Sequence, residues 1–319
     1  SGDSQARASD LAQAWAINTS TGGTQAGNDL INAGNGYNKV AGDAQALSWG
    51  GHASAYGENN AYDGDGTRSG NDTINTGYKD DTVSGGSQAI GKDSAYAEQQ
   101  NHAGESGYGD DDNKAGNDDI DAGNGDNKVA GDAQAIGTGD NAWAKAYAHN
   151  HAKGDDGQGY AGNKAGNDEI DTGEDHDTVS GDAQAIAKKY AESKSENFAE
   201  GDKNKAGNDD IDVDKGDNLV AGDSQAVSKW DSAKAYGNND ASDGDGSKAG
   251  NDYIEARYGD DTISGGAQAY ADDYAYAEQK NHAGGHWDNK DDYNEAGNDT
   301  IHADGGENVV AGDAQAISE

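Results

Sequence analysis

Apolar positions are scarce in this chain, and those present keep a fixed register. An isoleucine and a valine recur nine residues apart, as in Ile31/Val40 and Ile120/Val129. Around them polar and small residues alternate with apolar ones. Ile120-Asp-Ala and Asn127-Lys-Val-Ala-Gly-Asp-Ala-Gln-Ala-Ile have the period of two that puts alternate side chains on opposite faces of a strand. A further segment, Ala142-Trp-Ala-Lys-Ala-Tyr-Ala-His, alternates alanine with bulk. Alanine favours helix, so a short helix competes there. The strict alternation and flanking glycines favour a strand with a small inner face. Glycine- and Asp/Asn-rich clusters between these segments supply turns.

The pattern repeats. Copies begin at Ala26, Ser69, Ala115, Ala165, Ala206, Ala249 and Ala296, preceded by a partial copy over residues 1–25. Each holds Gly-Asn-Asp, an apolar residue, a second half ending in valine or isoleucine, and Gly-(Asp/Gly)-x-Gln-Ala. The Asp of the first half precedes an Asp or Asn of the second by nine residues: Asp29/Asn38, Asp72/Asp81, Asp118/Asn127, Asp168/Asp177, Asp209/Asn218, Asp252/Asp261 and Asp299/Asn308. Spacings between Gly-Asn-Asp motifs are 43, 46, 50, 41, 43 and 47 residues, and the variation is confined to the segment after Gln-Ala. Periods of this size mark stacked coils. Residues 95–104 return at 275–284, a shift of 180, so four repeats form a larger unit. We therefore expect one continuous array over residues 1–319.

Composition sharpens the problem. Ile, Leu, Val and Phe number 27 of 319 residues, and the formal net charge is −39. Such a chain would ordinarily stay disordered, but the strict register argues otherwise. The charge makes nucleic acid an unsuitable partner and points to cations. There is no cysteine, which excludes disulfides and thiol catalysis. No apolar run is long enough for membrane insertion, and the chain opens without a signal-like segment. It starts and stops inside the repeat motif, as expected of a processed subunit or a slice of a longer array.

Stacking would place equivalent aspartates about 4.8 Å apart. Each neighbouring pair would repel by about 1 kcal/mol in water, and by about 3.5 kcal/mol at an effective dielectric of 20. So little apolar surface cannot offset such a column, and a divalent, oxygen-seeking cation between coils would. Calcium fits, because it accepts carboxylates and backbone carbonyls in loose geometry. Glycines at 27, 34 and 36 permit turns whose carbonyls could face such an ion.

At these residues the chain resembles the RTX family of calcium-binding nonapeptide repeats, with pattern Gly-Gly-x-Gly-x-Asp-x-apolar-x. Gly116-Asn-Asp-Asp-Ile-Asp fits the last six positions. Gly77-Tyr-Lys-Asp-Asp-Thr-Val-Ser fits from the second glycine, with Lys79 in place of the third. The resemblance implies an all-β, calcium-stabilised parallel β-solenoid or β-roll, here of about seven coils of roughly 45 residues. It implies calcium ligands at Asp29, Asp72, Asp118, Asp168, Asp209, Asp252 and Asp299 in the first turn. In the second turn it implies Asp81, Asp177 and Asp261, with Asn38, Asn127, Asn218 and Asn308 replacing the family's aspartate. The chain departs from the family in following each pair of nonapeptides with an alanine-rich excursion of about 25 residues. RTX proteins are mostly secreted and act as toxins, tails of enzymes, adhesins or surface layers.

Other features carry structural expectations. Asp3, Asp43, Asp132, Asp182, Asp223 and Asp313 form a third acidic column, read as solvated strand ends; Gly86 and Gly266 interrupt it. The glutamines at 5, 45, 88, 134, 184, 225, 268 and 315 suit an amide ladder. Asp63-Gly-Asp-Gly-Thr resembles the start of an EF-hand, but Ile74 stands where that loop needs Glu. His149 and His151 would share a strand face and read as surface residues; His282 and His286 are close in sequence. Tyrosines and tryptophans of the variable segments are expected to pack over the alanine strand. An ice-binding row would hold Leu30, Thr73, Asp119, Glu169, Asp210, Tyr253 and Thr300, which is not uniform. A chain this repetitive offers no asymmetric catalytic constellation, so no enzymatic activity is expected. The expected role is a secreted structural repeat protein forming a fibre, surface layer, biofilm matrix or adhesin stalk, self-associating end to end. The alternative is the calcium-folding carrier segment of a larger toxin or enzyme.

Overall fold

The computed structural model describes residues 2–62, 66–104, 112–154, 162–201, 203–242, 246–283 and 294–318. The Asp63-Gly-Asp motif and His286 lie outside the described residues. Every regular element among the described residues is a strand, and every pairing is parallel, as in a β-solenoid. One sheet has eight strands and four have seven, each strand pairing with its equivalent one coil away.

The second coil shows the construction. The Gln strand, Ala44–Ser48, is followed by the alanine strand, His52–Tyr62, and by a two-residue strand, Arg68–Ser69. Two short strands then carry the nonapeptides: the Ile strand, Thr73–Thr76, and the Val strand, Thr82–Ser84. The third segment is therefore strand, as its alternation predicts; the next copy of it spans Ser94–Ala103.

Small residues close the coil. Alanines of the Gln strand (Ala44, Ala46) face alanines of the alanine strand (Ala53, Ala55), and the stack of these pairs is one dry core. A second core stacks Ile74, Ile120, Ile170, Ile211 and Ile254 beside Val83, Val129, Val179, Val220 and Ile263. The Gln strand is buried on both faces, so it serves as the wall between the two cores. Its glutamines form the expected ladder. From Gln45 through Gln88, Gln134, Gln184, Gln225, Gln268 and Gln315, each Nε2 donates to the next Oε1 at 2.8–2.9 Å; Gln5 joins it through Gln45. Nε2 also donates to carbonyls of the Val strand, as from Gln134 to Lys128. Side-chain amides thus bond coil to coil in parallel with the backbone.

The aromatic residues do not pack over the inner alanine face. That face is filled by the alanines of the Gln strand, leaving no volume for a ring. The rings stand on the outer face and stack along the solenoid: Trp15 on Tyr56, Tyr96 on Tyr147, Tyr236 on Tyr276, with centroids 5.7–6.0 Å apart. The row from Leu30 to Thr300 is in register and exposed along its length.

Candidate metal columns

The Gly-Asn-Asp turns align. The backbone N–H of each first-column aspartate donates to Oδ1 of the aspartate one coil on, at 2.7–3.0 Å, from Asp29 through Asp72, Asp118, Asp168, Asp209 and Asp252 to Asp299. One carboxylate oxygen per residue is thereby fixed. The other, Oδ2, is buried without a partner in Asp29, Asp72, Asp118, Asp168, Asp209 and Asp252.

Those second oxygens share one kind of surrounding. A Cβ on Gly42 would lie 1.8 Å from the Gly85 carbonyl oxygen and 2.0 Å from Asp72 Oδ2. A Cβ on Gly131 would lie 2.0 Å from both Asp168 Oδ2 and the Gly181 carbonyl oxygen. The same pair of a carboxylate and a glycine carbonyl recurs beside Gly2, Gly85, Gly181, Gly222 and Gly265. Two acceptors pointed into one small space require a proton or a cation. This is why glycine opens the Gly-(Asp/Gly)-x-Gln-Ala motif wherever another coil follows: any side chain would fill the space.

The third acidic column is not solvated. Asp43, Asp132, Asp182 and Asp223 are buried; only Asp3 and Asp313, in the outermost coils, are exposed. The alanine strand turns a buried asparagine toward them. Asn59, Asn101, Asn150, Asn197 and Asn239 are fully buried. With Asn18 and Asn281 they form a second amide ladder at 3.0–3.2 Å. They donate to the carboxylates as well: Asn101 and Asn150 to Asp132, Asn150 and Asn197 to Asp182. The same asparagines occupy the space beside the glycine of each Gly-Asn-Asp, whose φ is near +60°, as at Gly116 (57°) and Gly166 (55°). A burial-neutral reading of Gly-Asp as a strand end could not anticipate donors brought from the excursion.

Where the third column lacks its carboxylate, the chain compensates. Gly86 and Gly266 are matched in their own coils by Gln99 and Gln279, whose Nε2 atoms reach Asp43 and Asp223 at 2.8 and 2.7 Å. Coils that keep the aspartate have a small residue at that position, as with Asp132 and Ala148 or Asp182 and Ser195. The first and third columns meet at the centre of the stack. One carboxylate oxygen from each of Asp118, Asp132 and Asp168 lies within 4.8 Å of the other two.

The second column is also aligned, with N–H to Oδ1 bonds of 2.7–3.0 Å running through Asn38, Asp81, Asn127, Asp177, Asn218, Asp261 and Asn308. Its two residue types behave differently. The asparagines use Nδ2 to donate to carbonyls of their own turn: Asn38 to Gly34 and Gly36, Asn127 to Gly123, Asn218 to Gly216, Asn308 to Asp304. The aspartates Asp81, Asp177 and Asp261 instead carry a buried, partnerless Oδ2. An amide satisfies the turn in one coil, and a carboxylate leaves room for a cation in the next.

Burial sets the electrostatics. Desolvation, reinforced by neighbouring carboxylates, pushes Asp72 up to about 9 and Asp118, Asp168, Asp209 and Asp252 well above the usual range. Burial likewise raises Asp43 and Asp177 to about 7 and Asp182 and Asp299 to about 6, their hydrogen bonds only partly offsetting it. Without a cation Asp72, Asp118, Asp168, Asp209 and Asp252 would hold protons at neutral pH. With one, the same orphaned oxygens become ligands.

Comparison with known families agrees with the geometry. The model of the RTX calcium-binding nonapeptide repeat (4 copies) matches residues 24–46, 67–89, 114–135, 164–185, 248–269 and 295–316. Six of the coils carry RTX repeats. The matches cover the turns bearing the first two columns in six coils, and the alanine strands lie between them. This repeat family binds calcium. The match is to a repeat family and not to an enzyme family. No curated protein and no solved structure matches the chain.

Proposed function

We propose that this RTX chain is a secreted structural protein whose stack is held closed by calcium, the load-bearing part of an extracellular fibre, surface layer, biofilm matrix or adhesin stalk. The observation that carries the reading is the orphaned Oδ2 beside a glycine carbonyl, repeated from coil to coil. Asp29, Asp72, Asp118, Asp168, Asp209, Asp252 and Asp299 would supply one line of ligands, and Asp81, Asp177 and Asp261 a second. Asn38, Asn127, Asn218 and Asn308 belong to that second column as turn-closing amides rather than as ligands. Calcium would supply the positive charge that lets the columns ionise without driving the coils apart; the residues themselves fix the coil-to-coil register through their Oδ1 bonds.

Secretion is supported by the habit of the repeat family and by the calcium requirement, since calcium is abundant outside cells. Self-association is supported by the ladders: each coil offers the next the same Gln, Asn and Asp bonds, and a second chain could accept them in the same register. Electron microscopy of the chain with and without calcium tests this reading. Calcium-dependent fibres or sheets support it. Chains that fold on calcium but stay monomeric favour the carrier segment of a larger secreted protein.

A further inference from the structure

The outer face of the alanine sheet gathers three histidines that the repeats do not explain. His149 and His151 alternate on one strand and so share its outer face. His102, on the neighbouring strand, pairs in register with His151. A ring nitrogen from each lies within 4.8 Å of the other two, and the ring centroids are 5.6, 6.0 and 6.4 Å apart. His151 Nε2 is buried with no hydrogen-bond partner.

From this geometry we infer a second, chemically distinct metal site: a three-histidine site for a borderline divalent cation such as zinc, on the outside of the solenoid. Neutral imidazoles are ligands for zinc and its neighbours, whereas calcium takes oxygen. A tetrahedral zinc with bonds of 2.0–2.1 Å needs ring nitrogens about 3.4 Å apart, which rotation of side chains already within 4.8 Å can reach.

The surroundings suit such an ion. Glu196 Oε2 is 3.7 Å from His149 Nδ1 and Glu200 Oε2 is 3.6 Å from His151 Nε2. Both carboxylates can offset the ion's charge, and Glu196, on Nδ1, can orient the His149 ring as partners of metal-bound histidines commonly do. Phe198 packs on both His149 and His151, with centroids 5.4 and 6.2 Å away, shielding one side from water. A groove lined by Tyr96, His102, Tyr147, His149, Lys194 and Glu196 leaves an approach open. Burial and the two neighbouring histidines hold the His102 ring neutral, with its pKa lowered to about 4.

The test uses calcium-saturated protein, titrated with Zn2+ by calorimetry and with Co2+ by absorption spectroscopy. One tight equivalent of zinc and the visible bands of tetrahedral cobalt are expected. His102→Ala and His149→Ala should each weaken zinc by at least tenfold while His176→Ala, outside the cluster, leaves it unchanged. Zinc affinity that is the same in all three variants, or no stoichiometric zinc binding in the presence of calcium, overturns the site. Histidine ring signals in NMR give a readout on the unmutated chain. Zinc should shift the three cluster rings and not that of His176, and undisturbed cluster rings would also refute the assignment.

Discussion

Removing calcium should make folding acid-dependent in an unusual direction. In the metal-free coil stack Asp43 and Asp177 are pushed from 3.8 to about 7, Asp182 and Asp299 to about 6, and Asp72 to about 9. A pKa raised on folding means that the folded state holds its proton more tightly. The stability it confers is complete below the unfolded value near 4 and is lost as pH rises through the folded value. Ionising Asp43 or Asp177 inside the metal-free fold costs about 4 kcal/mol, and Asp182 or Asp299 about 3 kcal/mol. Three such groups together reach the net stability of an ordinary domain, roughly 5–15 kcal/mol. Chain freed of calcium by exhaustive dialysis should therefore show the β-sheet circular dichroism signal near pH 4 and lose it between about pH 6 and 9. Calcium at pH 8 should restore it. Calcium affinity should in turn weaken toward acid, because the ligands must be deprotonated. A β-signal at pH 8 that is the same with and without calcium would refute the reasoning, as would a metal-free chain more ordered at pH 8 than at pH 4.

Other perturbations separate the parts of the stack. Gln134→Leu breaks the amide ladder in its middle and leaves Gln184 Oε1 without its donor, while Gln88 Nε2 keeps the Val40 and Thr82 carbonyls; it should cost about 1–3 kcal/mol, read as a lower denaturation midpoint in calcium, and an unchanged midpoint would mean the ladder is ornamental. Gly86→Asp would drive its Cβ to 2.6 Å from Gln99 Cδ and should destabilise by about 1–3 kcal/mol. Adding Gln99→Ala recreates the Asp132/Ala148 pairing and removes the side-chain clash, leaving the 2.7 Å approach to the Asp132 carbonyl oxygen, and should recover part of that loss; additive losses in the double variant would count against the pairing. Lys79 holds φ at 104° where five other coils place glycine and one places Asp175, at 102°, so Lys79→Gly should raise the thermal midpoint by the equivalent of about 1 kcal/mol, and a fall would show that the lysine side chain contributes more than its backbone costs. Asn127→Asp exchanges a turn-closing amide for a carboxylate and should add one calcium to the count by elemental analysis; an unchanged count would deny a role for the Asn/Asp alternation.

The coil was legible because its signal is a register. The nine-residue offset between Asp118 and Asn127 fixes two turns, and repetition fixes how coils stack. The alternation at Ala142–His149 was enough to favour strand over helix, although alanine alone would not have been. What stayed hidden was the meeting of segments distant in sequence. Asn150 sits in an excursion that looks variable, and nothing nearby indicates that it caps Asp132 and Asp182. The burial of the third column follows from that meeting, so Gly-Asp read locally as a strand end. The exchange of Gly86 with Gln99 was visible as two separate oddities, thirteen residues apart, and becomes one fact only when the strands are placed face to face. His102 was likewise inconspicuous until register brought it beside His151. The aromatic residues stand on the outer face of the alanine strand because the alanine core beneath it is too thin for a ring, in keeping with the small inner face that the alternation indicates.

Long-wavelength anomalous diffraction from crystals grown in calcium addresses the central claim directly, because calcium scatters anomalously and water does not. The account predicts a line of calcium peaks beside Oδ2 of Asp72, Asp118, Asp168, Asp209 and Asp252. It predicts further peaks at Asp81, Asp177 and Asp261 and none at Asn127 or Asn218. Ordered coils with no anomalous density along the first column would contradict it.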